Sequence, residues 1–250
     1  MKVIRYALAV VAISVFFALP TFAADTPVQT WTGPYVGING GWGWGETSLK
    51  FRVQGSGNDG SNLFSPDNTG GSLHKSIDGG IVGGHAGYNY QTPFNLVFGL
   101  EVSVDWADLG GVRKNAFGLV VPGYTQYNTK VHWFGTATPK IGYALSNIVP
   151  INLMPYIKGG LAFGGVESRL RTTGSGGRQF SDNNEHIGWT IGAGIEYAWR
   201  NFIFGVEYNY VDLGTQHYGG EVRPNTTWPL DYNLRATFSS VLGRVSYKFN

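Results

Sequence analysis

The chain has 250 residues, of which 14% are charged and 15% aromatic, with 38 glycines and no cysteine. Soluble domains carry roughly 25% charge, so the composition suits a protein whose outer surface meets lipid, and the missing cysteines exclude disulfides, thiol nucleophiles and thiolate metal centres. The formal net charge is +2, but Lys2 and Arg5 lie in a leader expected to be removed, which leaves equal numbers of basic and acidic residues and no electrostatic case for a nucleic-acid partner.

That leader comes first. Lys2 and Arg5 precede an apolar stretch over residues 6–19, and Thr21-Phe22-Ala23 places small residues where a signal peptidase reads. Cleavage is expected after Ala23, with residues 24–250 forming one mature domain. No later segment has the ~18 uninterrupted apolar residues of a membrane helix. Any span must be made of strands, and in lipid only a closed barrel satisfies all the backbone groups of strands.

Period-two alternation, the signature of a strand with two different faces, runs through eight stretches. Residues 33–45 set Val36, Ile38, Gly40, Trp42 and Trp44 against Tyr35, Gly37, Asn39 and Gly41. A polar, glycine-rich loop is expected over 51–75. The second strand, 77–91, opposes Val82, Gly84, Ala86, Tyr88 and Tyr90 to Gly83, His85, Gly87 and Asn89. After a tight turn at 91–95, the third, 96–106, opposes Phe98, Leu100, Val102, Val104 and Trp106 to Gly99, Glu101, Ser103 and Asp105. A loop over 107–128 leads to the fourth, 131–144, with Trp133, Gly135, Ala137, Ile141 and Tyr143 opposite Thr136, Thr138, Lys140 and Gly142. Pro139 interrupts it, since proline cannot donate to a ladder.

A short turn over 146–152 precedes the fifth strand, 153–167, with Ile157, Leu161 and Phe163 against Tyr156, Lys158, Gly160 and Ala162. After a loop at 169–184, the sixth, 185–199, sets Ile187, Trp189, Ile191, Ala193, Ile195, Tyr197 and Trp199 against Gly188, Thr190, Gly192, Gly194 and Glu196. Only Arg200-Asn201 separates it from the seventh, 202–213, with faces Phe202, Phe204, Val206, Tyr208, Tyr210 and Ile203, Gly205, Glu207, Asn209. A loop at 214–231 leads to the eighth, 232–249, where Val241, Val245, Tyr247 and Phe249 oppose Ser240, Arg244, Ser246 and Lys248. Long and short connectors alternate. The fold class is therefore all-β, an eight-stranded antiparallel up-and-down transmembrane β-barrel with short periplasmic turns and long extracellular loops, closed by pairing the eighth strand with residues 35–44.

A secreted lipocalin-type barrel also alternates, but its water-facing exterior would be denser in Lys and Glu. Trp133 and Tyr143, and Trp189 and Trp199, lie ten residues apart on one face. At about 3.3 Å per residue and a tilt of 35 to 45°, that gives about 25 Å of height, matching the band between aromatic girdles. Trp42, Trp44, Trp106, Trp133, Phe163, Trp189, Tyr208 and Tyr210 form the expected outer girdle, and Tyr90, Tyr143, Tyr197, Trp199, Phe202, Tyr247 and Phe249 the inner one. The inward charges are expected to pair by height on neighbouring strands: Glu101 with Lys140, Lys158 with Glu196, Glu207 with Arg244, and His85 joining Glu101, with Asp105 in the same interior. An eight-stranded interior is just wide enough for side chains to fill, so a salt-bridged plug is expected rather than an open pore.

Trp31-Thr32-Gly33-Pro34-Tyr35-Val36-Gly37, GGHAGYNYQ at 83–91, VFGLEVSVDWADL at 97–109, PYIKGGLAF at 155–163 and the final residues 243–249 together resemble the small outer-membrane β-barrel (porin family) proteins of alphaproteobacteria, relatives of the major surface antigens of Brucella and rhizobia. The resemblance spans the mature chain. It implies residence in the cell outer membrane, contact with outer-membrane lipids and lipopolysaccharide, and assembly by machinery that reads a terminal aromatic. Phe249, Tyr247 and Val245 match that signal, with Asn250 following, while Pro139 departs from the family's ladder. Surface haem binding in related barrels makes His217-Tyr218 a candidate ligand pair; His74-Lys75-Ser76 holds a His/Ser pair of the kind a lipid A-modifying barrel could use, but it lies near a loop without a matched acidic partner, which favours a solvated loop. The histidines lack metal-ligand spacing, so no metal, cofactor or catalytic residue is assigned. The leading expectation is a non-enzymatic barrel for envelope integrity and surface interactions, with host or surface ligands at its loops; a small-solute diffusion porin and a haem-binding or lipid A-modifying barrel are the alternatives.

Overall fold

Eight antiparallel strands close in sequence order: β1 (Gly33–Val53), β2 (Gly71–Gln91), β3 (Leu96–Lys114), β4 (Thr125–Tyr143), β5 (Leu153–Thr172), β6 (Gln179–Trp199), β7 (Phe202–Arg223) and β8 (Thr226–Lys248). The structure is a computed structural model that describes residues 30–53, 71–114, 125–146, 151–172, 179–223 and 226–249. The leader, residues 1–23, and Asn250 lie outside the described residues. The barrel closes through β1 and β8, in register from Tyr35↔Lys248 to Val53↔Leu230.

The short connections between strands fall where turn chemistry places them. Asn95 and Arg200 take positive φ, 64° and 54°, to reverse the chain, and the Asn95 N–H closes its turn on the Thr92 carbonyl at 3.0 Å. At the other end the strands run further than alternation suggests. Parts of all four expected loops, 51–75, 107–128, 169–184 and 214–231, are strand; the last is a β7–β8 hairpin in which Arg223 pairs with Thr226. The cause is physical. Beyond the apolar stretches a hairpin in water needs only its ladder, so Gly, Asn and Ser are tolerated and no apolar alternation marks it. His74-Lys75-Ser76 therefore lies on β2 and His217-Tyr218 on β7 rather than in loops; the side chains of the latter pair are outside the described residues.

One face of every strand is apolar and outward. Ile38, Leu100, Ile157 and Ile187 are 69%, 68%, 63% and 73% exposed, values that in water would make a large sticky patch and here form a continuous belt. Bulges, where one strand carries an extra residue, break the alternation near the outer ring of tryptophans. The β4–β5 register shifts between Val131 and Trp133, so Val131 and Phe134 both point inward, 0% and 3% exposed. Strict alternation would have put Val131 beside Trp133 on the outside.

Pro139 is outward-facing on β4. It pairs with Leu100 of β3, but the β4–β5 ladder skips from Ala137↔Leu161 to Lys140↔Lys158 with its register unchanged. The ladder thus loses bonds without slipping. Pro139→Val should restore a donor and raise the unfolding free energy by about 1 kcal/mol, the net worth of one hydrogen bond. Reversible urea unfolding in micelles measures it; a lower midpoint would contradict the assignment.

Above the outer tryptophans the wall divides. The β2–β3 ladder ends at Asp78↔Gly110 and the β6–β7 ladder at Trp189↔Asp212, while the other ladders continue outward. The barrel becomes two four-stranded sheets, β7-β8-β1-β2 and β3-β4-β5-β6. Between them lies an apolar core.

Candidate functional site: a lumen filled from end to end

The inward side chains form stacked layers. At the mouth nearest the short turns Trp31, 1% exposed, packs with Val97, Ala144, Met154, Tyr156, Ala198 and Ile203. It is held there by its own backbone. The Trp31 N–H donates to Gln91 Oε1 at 2.8 Å and Lys248 Nζ donates to the Thr30 carbonyl at 2.6 Å. The residues just before β1 thus act as a stopper.

Above this layer sits the ionic centre. Lys158 Nζ lies 2.9 Å from Glu101 Oε1 and 2.8 Å from Glu207 Oε1. Arg244 spans the same two carboxylates, with Nη2 at 2.5 Å from Glu101 and Nη1 in contact with Glu207. Tyr35 donates to Glu101 at 2.8 Å and Tyr156 to Glu207 at 2.5 Å. Lys140 stands apart, 3.3 Å from Glu196 and over the rings of Tyr35 and Tyr156 at 4.9 and 4.8 Å. All these charged groups are buried.

Of the expected pairs, Glu207 and Arg244 meet. Glu101 does not pair with Lys140, nor Lys158 with Glu196; the two lysines have exchanged carboxylates. Lys140 and Lys158 are register partners on β4 and β5, so their like charges turn apart. Matching heights on adjacent strands fails here because the lumen is narrow enough for long side chains to cross it. His85 does not reach Glu101. Its Nε2 is 2.7 Å from Ser246 Oγ and its Nδ1 3.1 Å from Asn39 Oδ1, and Asn39 in turn donates to Asp105. Asp105 also accepts from Ser103 at 2.9 Å; hydroxyl and amide donors, not a cation, satisfy it. The centre of a water molecule has about 10 Å³ to occupy among these groups, about enough for one water.

The outermost layer is apolar and was not expected. Ile77, Ile81, Leu109, Val131, Phe134, Val211, Leu213, Leu234, Phe238 and Leu242 are all at most 4% exposed. Phe134 of β4 and Phe238 of β8 meet edge to face across the lumen, centroids 5.0 Å apart. A signal was present: Leu234, Ala236, Phe238 and Leu242 share the parity of Arg244 and Ser246 on β8.

On the outside, the tryptophans and tyrosines cluster by height. Trp42, Trp44, Trp106 and Trp189 are exposed and Trp133 half-buried near one end; Tyr143, Trp199, Tyr247 and Phe249 are exposed and Tyr197 half-buried near the other. Neighbours touch, as in Trp133–Phe163 at 6.2 Å and Trp189–Tyr210 at 5.5 Å.

Residues 9–249 match the outer membrane protein beta-barrel domain. The chain belongs to this outer-membrane barrel family. It is 35% identical over 220 residues to the 31 kDa outer-membrane immunogenic protein of Brucella melitensis biotype 1, covering 85% of this chain and 84% of that protein. It is 27% identical over 219 residues to the 25 kDa outer-membrane immunogenic protein of Brucella canis, covering 81% of each. Among solved structures, the outer membrane protein OprG of Pseudomonas aeruginosa aligns with 12% identity and a TM-score of 0.43 over 88% of this chain and 97% of its own. Neisserial surface protein A aligns with 16% identity and a TM-score of 0.33 over 88% and 100%. This outer-membrane barrel resides in the outer membrane, with its apolar belt in lipid.

Proposed function

We propose that this outer-membrane barrel is a closed, non-enzymatic component of the envelope that contributes mechanical integrity and presents its outer end for surface contacts. The observation that carries the reading is the filled lumen: an apolar stopper around Trp31, the ionic centre of Glu101, Lys158, Glu207 and Arg244, and the apolar layer around Phe134 and Phe238. A diffusion porin requires continuous water through that volume. The aromatic rings seat the barrel at the two lipid interfaces, the outer one against lipopolysaccharide, as amphipathic rings do. Val245, Tyr247 and Phe249, exposed at the end of β8, are the surface that the assembly machinery reads after cleavage following Ala23.

Planar-bilayer recording of the purified protein tests the reading. The expected result is an absence of stable unitary currents. Large, long-lived steps would overturn it and establish the porin alternative.

A further inference from the structure

The rim nearest the short turns carries a cation stacked on a ring. Among the described side chains, Lys130 and Arg235 at the opposite rim each contact a carboxylate, Asp108 at 2.6 Å and Asp212. Arg200, exposed in the turn between β6 and β7, instead lies over the Trp199 indole, its Cζ 5.4 Å from the ring centroid. Stacking on an aromatic face holds the planar guanidinium without using its N–H donors. They stay available to an acceptor. The backbone adds a second sign. At φ 54° Arg200 occupies the left-handed region, which favours glycine or asparagine; Asn95 fills that conformation in the β2–β3 turn. Turn formation alone therefore does not account for an arginine here.

The turn is fixed to the end of β8. The Lys248 N–H donates to the Asn201 carbonyl at 2.7 Å and Asn201 Nδ2 donates to the Lys248 carbonyl at 3.0 Å. This anchors Arg200 beside a row of exposed rings. Trp199 pairs with Phe202, Phe202 meets Tyr247 edge to face at 5.5 Å, and Tyr247 meets Phe249 at 5.1 Å. Such rings mark a membrane–water boundary, so the guanidinium stands at headgroup height with an apolar track next to it. A fixed cation joined to a hydrocarbon contact matches the chemistry of a phosphodiester that carries acyl chains.

We propose that Arg200 and Trp199 form a headgroup site for a glycerophospholipid, the guanidinium donating to its phosphodiester and an acyl chain lying along Phe202, Tyr247 and Phe249. The site rests on the reading above in one respect, that the short turns face the periplasm, because the leaflet on that side consists of glycerophospholipid and the opposite one of lipopolysaccharide. Arginine suits the role better than lysine, since its fork reaches two phosphate oxygens at once.

The test uses the full protein, delipidated in a non-ionic detergent and titrated with phosphatidylglycerol, with diacylglycerol of the same chains, or with lipid A, the bound lipids being counted by native mass spectrometry. One phosphatidylglycerol should be held more tightly than any further copies, and diacylglycerol should not replace it. Arg200→Asn supplies a residue suited to positive φ, so it should keep heat-modifiable gel mobility and the unfolding midpoint while weakening that lipid about tenfold, the worth of a charge-assisted hydrogen bond. Arg200→Lys should lose less. Equal retention of diacylglycerol, or unchanged phosphatidylglycerol binding in Arg200→Asn, overturns the proposal. A lower midpoint in Arg200→Asn with unchanged lipid binding overturns it too, and shows that the guanidinium serves a carboxylate of its own chain. Lipid A held through Arg200 in preference to phosphatidylglycerol overturns the phospholipid assignment and reverses the orientation, whereas indifference of both lipids to Arg200→Asn removes the site and leaves the orientation untouched.

Discussion

Arg244→Met is expected to lower the unfolding free energy by about 3–5 kcal/mol, the usual cost of leaving a buried charge without its partner. Arg244 bridges Glu101 and Glu207. Without it, the Lys158 ammonium, 2.9 and 2.8 Å from the two carboxylates, must neutralise both in a site that water barely enters. The hydroxyls of Tyr35 and Tyr156 still donate, but a neutral donor does not cancel a charge. Adding Glu207→Gln to Arg244→Met should therefore recover at least half of the loss, because it removes the excess negative charge. Reversible urea unfolding in micelles, checked by the temperature at which the unboiled band loses its fast migration, measures both. A midpoint unchanged in Arg244→Met would mean that the ionic centre is solvated, and the filled lumen would fail with it.

The second large effect is expected at the outer layer. Phe134→Ala should cost about 3–5 kcal/mol, from lost burial and from a cavity that rigid walls cannot close, and Phe238→Ala a similar amount. The two rings touch edge to face at 5.0 Å. Removing both should then cost less than the sum of the single losses, by a coupling of about 0.5–3 kcal/mol. Additive losses would show that the rings do not meet in solution. The double variant should stay silent in planar bilayers because the Arg244 layer beneath is intact.

What the sequence revealed follows from what lipid demands of it. In the bilayer each outward residue must be apolar, so alternation was legible from Val36 to Trp44 and again from Ile187 to Trp199, and the β1–β8 seam with them. The turns at Asn95 and Arg200 were equally readable, since strands there must reverse within a few residues. Lipid makes no such demand above the outer tryptophans. Residues 214–231 read as loop because Gly, Glu and Asn are acceptable on a hairpin in water. Within the lumen, sequence identified the charged groups but not their partners: Lys140 and Lys158 choose between Glu101, Glu196 and Glu207 by shear and reach, quantities carried by no single strand. The apolar layer around Phe238 was missed for a different reason. The inward charges point to a polar plug but do not say how far it extends, and Leu234, Ala236 and Leu242 lie on the same face of β8 as Arg244.

The stopper around Trp31 sets an order of events. Lys248 holds the Thr30 carbonyl across 218 residues of sequence, so this contact can form only when the first and last strands have met. Until then the half-built sheet leaves Glu101, Lys158 and Arg244 open to water, where unpaired charges cost little. Closing the seam and seating Trp31 then expel that water in one late step. The barrel is expected to assemble wet and to become dry only on completion, so a lesion in residues 30–32 should delay maturation rather than block the earlier pairing of strands.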